Sequence, residues 1–98
     1  MEFNLVYSSE VREELHKLEQ DHANVHHLKE VKKALEFLAH NPRHPGLHTH
    51  KYDEIQGKNG EEVFEAYAEN HTPGAYRIFW HYGPGKGIIT IIDIKHHP

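Results

Sequence analysis

The sequence predicts an α+β domain in the order β-α-α-β-β-β-β, with a helical hairpin packed on one face of a small, mainly antiparallel sheet. Three observations carry this. Residues 62–94 hold three stretches rich in β-branched and aromatic residues, VFEAYAEN, AYRIFWHY and IITIIDI, separated by the turn sequences HTPG and GPGKG. That is the pattern of an antiparallel meander. Two apolar stripes at helical spacing precede it, and an Asn59-Gly60 turn signal joins one more strand to its start.

In chain order, Phe3, Leu5 and Tyr7 alternate with Asn4 and Val6, which predicts a short first strand. Ser8 and Ser9 end it and offer a helix N-cap, and Glu10, Glu13 and Glu14 follow where the helix dipole favours acids. Val11, Leu15 and Leu18 form one apolar stripe. A break near Asp21–Asn24 caps a second helix striped by Leu28, Val31, Leu35 and Leu38, with Lys29, Lys32, Lys33 and Glu36 facing water. Asn41-Pro42 closes that helix, because the residue before proline disfavours helical geometry. Residues 41–50, NPRHPGLHTH, form a connection stiffened by Pro42, Pro45 and Gly46. His50–Ile55, Val63–Asn70, Ala75–Tyr82 and Ile88–Ile94 are then strands.

The chain of 98 residues fits one domain, 1–98, with one core. It has no apolar run of about 18 residues, and MEFNLVYSSE does not read as a signal peptide. Absence of cysteine excludes disulfides and thiolate metal sites and fits a cytoplasmic protein. The formal charge of −4 is unlike a general nucleic-acid binder, although twelve histidines can raise it.

Alternation sorts the strands into two faces. Tyr76, Ile78, Trp80 and Tyr82 go under the helices, as do Phe64, Ala66 and Ala68, and Ile88, Ile92 and Ile94. The open face then holds Glu65, Tyr67, Glu69, Arg77, His81 and Asp93, mixed with Phe79, Ile89 and Ile91. A one-residue bulge would invert any one of these assignments.

The element order, the helix ending in NPRHPGL, the strand Tyr76-Arg77-Ile78-Phe79-Trp80 and the end Ile94-Lys95-His96-His97 together resemble the RelE/ParE superfamily of bacterial type II toxins. The likeness spans nearly the whole chain. In the RNA-cleaving branch it implies a cytoplasmic, ribosome-dependent mRNA endoribonuclease with no metal or other cofactor. An antitoxin protein would be its silencing partner. Arg77 matches the strand arginine that holds the scissile phosphate, and His96 or His97 falls where the family has a C-terminal basic residue. The family's paired lysines have no counterpart, since Glu65, Tyr67 and Glu69 occupy that strand. The family's C-terminal catalytic tyrosine also lacks a match. Two alternatives follow: a non-catalytic gyrase inhibitor of the ParE kind, or a partner-binding module that keeps the fold without activity.

Chemistry names further candidates. Metal-free RNA cleavage needs a proton shuttle near neutral pH, and His81, His96 and His97 suit it, with Glu65 or Glu69 as a base. Tyr67 can donate a hydrogen bond or stack a base. Arg43 and Lys51, with His44, His48 and His50 nearby, can meet RNA phosphates. The spacing of those three histidines matches no known ligand motif, so no metal is expected there.

Overall fold

The computed structural model describes residues 2–69 and 75–96. The first strand, β1 (Asn4–Tyr7), leads into helix α1 (Ser9–Gln20), a short 3₁₀ turn (His22–Asn24) and helix α2 (Val25–His40). A second 3₁₀ turn (Pro45–Leu47) precedes strands β2 (His50–Gln56), β3 (Glu62–Tyr67), β4 (Tyr76–Tyr82) and β5 (Ile88–His96). The strands form one sheet in the order β1-β5-β4-β3-β2. The pair β1–β5 is parallel, and the other pairs are antiparallel. A parallel neighbour requires a crossover, and the helical hairpin is part of it. Among the described residues no helix is long and apolar enough to cross a membrane.

Local chemistry explains the boundaries. Ser8 caps α1, its hydroxyl accepting from the Val11 N–H at 3.2 Å. Glu10 sits in the first turn, and its own backbone N–H and the Ser8 hydroxyl hold its carboxyl below the ordinary range. Asp21 caps the short turn through the Ala23 N–H at 3.0 Å. The 41–50 connection is pinned, as expected. The Thr49 hydroxyl donates to the Pro42 carbonyl at 2.8 Å, and Leu47 is fully buried.

The core lies between the hairpin and one sheet face. Val11 and Leu18 from α1 and Val31, Leu35 and Leu38 from α2 pack on Ala66, Tyr76, Ile78 and Trp80. Phe3, Leu5 and Tyr7 pack against the same cluster. The expected faces of β1, both helices and β4 hold, and so do Phe64, Ala66 and Ala68, but Tyr82, expected under the helices, is exposed and lies outside the core cluster.

β5 departs from simple alternation. Its register partners run Tyr82↔Ile89 and Trp80↔Ile91, then Phe79↔Asp93 and Ile78↔Ile94. Ile92 is therefore one residue extra, a bulge. Upstream of it the phase inverts. Ile89 and Ile91, expected on the open face, are fully buried in the core with Ile94, whereas Ile88 and Ile92 are only partly buried. Asp93 and Ile94 keep their expected faces.

Two smaller corrections concern β3. The strand ends at Tyr67, short of the expected Asn70. Asn70 and the Thr72-Pro73-Gly74 turn lie outside the described residues. The loop before β3 is not a two-residue hairpin turn, which needs positive φ at both central residues. The Gly60 N–H donates to the Gly57 carbonyl at 3.0 Å and the Gly57 N–H to the Glu61 carbonyl at 2.9 Å. Gly60, and not Asn59, takes positive φ, at +82°. This is a type I turn closed by a glycine bulge. A Cβ at Gly60 would meet nothing within 4 Å, so Gly60→Ala isolates the backbone cost. It is expected to destabilise by about 1 kcal/mol in urea unfolding without altering the fold.

Candidate active site

The sheet face away from the helices carries two cross-strand rows. Tyr67, Arg77 and Lys95 are register partners across β3, β4 and β5. One step along, His50, Glu65, Phe79 and Asp93 form a second row across β2 to β5. Partners in a row share a face and touch.

Arg77 is held on three sides. Its guanidinium carbon lies 3.7 Å from the Tyr67 ring centroid, close enough for cation–π attraction. Nη1 donates to the Glu69 carbonyl at 2.7 Å, and Nε stands 3.9 Å from the Glu65 carboxylate. The side chain is 13% exposed. The edge carrying Nη2 is not used in these contacts. A guanidinium fixed in this way is a preorganised planar donor for an oxyanion.

His50 and Glu65 form a second unit. The His50 Nδ1 lies 2.8 Å from the His48 carbonyl, which can only accept, so Nδ1 carries a proton. Its Nε2 lies 2.7 Å from Glu65 Oε1. Two bare acceptors would repel at that distance, so a proton sits between them too. The pair therefore holds a transferable proton beside Arg77, with the His50 ring edge-on to Tyr67 at 5.7 Å. The His48 ring lies tilted to the same tyrosine ring at 5.4 Å.

The groove over these rows has a volume of about 420 Å³ and is lined by Glu65, Arg77, Phe79, Lys95 and Tyr52, among others. Tyr52 packs edge-on to Phe79 at 4.8 Å. A hydrogen bond to the Glu54 carboxylate, then burial, raises its phenol pKa and keeps it a donor at neutral pH. Lys95 stands 5.1 Å over Phe79 and 3.7 Å from Asp93.

Of the residues singled out from sequence, Arg77, Glu65 and Tyr67 are brought together. His81 is not with them. It shares the face of Arg77 but lies four residues along the strand, about 13 Å away at ~3.3 Å per residue. It is also buried, with Nδ1 2.9 Å from the Tyr82 carbonyl. His96 is the register partner of Tyr76, so its ring packs on that tyrosine at 5.6 Å while the residue borders the groove. His97 lies outside the described residues. Glu69, expected on the open face, turns towards α2 where the strand bends. It accepts from the Tyr76 N–H at 3.2 Å, and His27 Nδ1 approaches it at 2.6 Å. Arg43 and Lys51 do converge, but in a separate groove on the helix side of β2. His44, His48 and His50 send their rings to three different partners, Phe37, Tyr67 and Glu65.

Sequence reasoning placed His50 at the start of a strand beside the 41–50 loop, as a phosphate contact and not as a partner of Glu65, and gave no role to Lys95 or Tyr52. The alternation His50-Lys51-Tyr52 carried a signal for two of them, since period two puts His50 and Tyr52 on one face.

No family model and no curated protein matches the chain by sequence. Solved structures match along its full length. The YoeB dimer from Staphylococcus aureus superposes with a TM-score of 0.70 at 15% identity, covering 100% of both chains. The YoeB/ParE toxin from Agrobacterium tumefaciens gives 0.69 at 8% identity, over 98% of this chain and 100% of that one. The archaeal RelE–RelB complex from Pyrococcus horikoshii gives 0.63 at 16% identity, over 98% and 96%. The chain has the RelE/ParE-type toxin fold. Within this fold the two helices cover one side of the sheet and leave the other to Arg77, Tyr67, Glu65 and His50. Identities this low carry the architecture and no residue role, so the chemistry of the RelE/ParE-like chain rests on its own side chains.

Proposed function

We propose that this protein is the toxin of a toxin–antitoxin pair and cleaves single-stranded RNA, mRNA on the ribosome being the natural substrate. The observation that carries the reading is the packed set of Arg77, Tyr67, Glu65 and His50 on the helix-free face. In the reaction the RNA 2′-hydroxyl attacks the adjacent phosphorus. The Glu65 carboxylate takes the hydroxyl proton directly. Arg77 holds the phosphoryl oxygens as charge builds on them. His50 returns a proton to the departing 5′-oxygen. The products are a 2′,3′-cyclic phosphate and a 5′-hydroxyl, so no external reactant is consumed. The likeness to RelE, solved with RelB, supports a small protein partner that masks this face, and action in the cytoplasm.

Incubation of the purified chain with a 5′-labelled single-stranded RNA in the presence of a chelator tests this, with and without ribosomes. Fragments ending in cyclic phosphate are expected. Intact RNA under both conditions would overturn it.

A second reading draws on one observation. The groove also presents the Glu54 and Glu65 carboxylates, and Arg77 already has partners. That arrangement suits a protein-binding face without chemistry. Harmless expression with intact RNA would favour it.

A further inference from the structure

We propose that the groove beneath the 41–50 connection binds one nucleotide unit of a single-stranded RNA. Its phosphate would lie on Arg43 and Lys51, and its base against Phe64 and Tyr82. This deepens the RNA-directed reading above and rests on it.

The groove has a volume of about 490 Å³, inside the range of about 300–1,000 Å³ usual for small-molecule sites. It lies on the opposite side of β2 from Arg77, because Lys51 is the register partner of Phe64, which packs on the core. Charge is its distinguishing property. The chain carries fifteen Asp and Glu residues, yet none lines this groove. Arg43, Lys51, His44 and His48 do. The neighbouring cavity that shares Arg43 and Tyr82 is likewise without acids in its lining. The Arg77 groove, by contrast, includes Glu54 and Glu65.

The donors are arranged to meet an anion. His44 Nδ1 accepts from the Gly46 N–H at 3.0 Å, so in the neutral ring the proton sits on Nε2. Stacking on Phe37 at 4.1 Å fixes that ring. Arg43 is exposed, while its own backbone is tied to the Asn41 side chain at 3.0 Å. Lys51 pairs with Glu62 at 2.8 Å, but both side chains are more than half exposed. Such surface pairs contribute little and give way to a phosphate.

The apolar wall matches a base. Tyr82 is 41% exposed and packs with Phe64 at 5.7 Å, edge to face. Behind them lies Trp80, fully buried, 4.9 Å from each ring. Base stacking on such aromatics is tolerant of sequence. His50 borders both this groove and, through Glu65, the Arg77 site. An RNA strand crossing the edge strand β2 at His50 would occupy both.

Trp80 is the only tryptophan, and its indole N–H has no hydrogen-bond partner among the described residues. Its single ¹⁵N–¹H resonance is therefore a local reporter. Adenosine monophosphate and a non-cleavable 2′-O-methyl trinucleotide should each shift it with saturation. Adenosine alone and inorganic phosphate alone should do so more weakly. The Arg43→Ala/Lys51→Ala double variant should bind the trinucleotide at least about tenfold more weakly, while Arg77→Ala should still bind the monophosphate. The proposal is overturned if neither nucleotide shifts the indole, or if the double variant binds as the wild type does. It is equally overturned if an acidic peptide shifts the indole while nucleotides do not, which would assign the groove to a protein partner. Nucleotide binding without cleavage would leave this site standing and remove the catalytic reading; cleavage without binding would do the reverse.

Discussion

Arg77→Ala should lower RNA cleavage by about 10²–10³-fold, the loss typical when one preorganised oxyanion donor is removed. The expectation follows from how the side chain is held. Tyr67, the Glu69 carbonyl and Glu65 fix the guanidinium before substrate arrives, so little ordering is left to the reaction step. Arg77→Lys should recover only a small part of the activity, because an ammonium cannot reproduce the planar fork. Removal also uncovers the Glu69 carbonyl and takes away the cation facing Glu65. A loss of about 1–2 kcal/mol in folding stability is therefore expected beside the catalytic one. Urea unfolding separates the two effects: the variant should remain folded at the assay temperature while its rate is lost. A folded Arg77→Ala variant that cleaves at the wild-type rate would end the assignment.

The bulge in β5 makes an equally sharp prediction about stability. Ile91→Ala should cost about 2–5 kcal/mol, since Ile91 is fully buried opposite Trp80 and its loss leaves a cavity. Ile92→Ala, one residue along, should cost no more than about 1.5 kcal/mol, because Ile92 is only partly buried and has no register partner on β4. The difference in urea midpoints reads this directly. Simple alternation through β5 predicts the reverse order, and finding that order would show the bulge to be elsewhere.

Much of this molecule was legible in its residues. The helical stripes, the cap at Ser8, the proline stop at Pro42 and the Tyr76–Ile78–Trp80 face of β4 are all local or periodic signals. Each held because the property being read belongs to a few neighbouring residues. The last strand shows where that reading fails. IITIIDI offers isoleucine to both faces, so composition cannot say which set is buried, and a single extra residue decides it. Glu69 fails for a related reason. Alternation was extended past Tyr67, where the chain bends and the carboxylate meets His27 of α2.

The candidate site was legible in part. Arg77, Tyr67 and Glu65 were placed together because period two puts alternate residues of adjacent strands on one face. His81 satisfied the same rule yet lies a full four residues from Arg77. Face alone does not measure distance along a strand. His50 was visible as a residue and not as the partner of Glu65, which lies fifteen positions away.

By itself the sequence determined the elements, their order and the side of the sheet that the helices cover, because periodicity and capping are properties of short stretches. Only the tertiary structure decided the phase of β5, the pairing of His50 with Glu65 and the separation of the Arg43–Lys51 groove from Arg77. Those depend on strand register, and register is fixed by contacts between residues far apart in the chain.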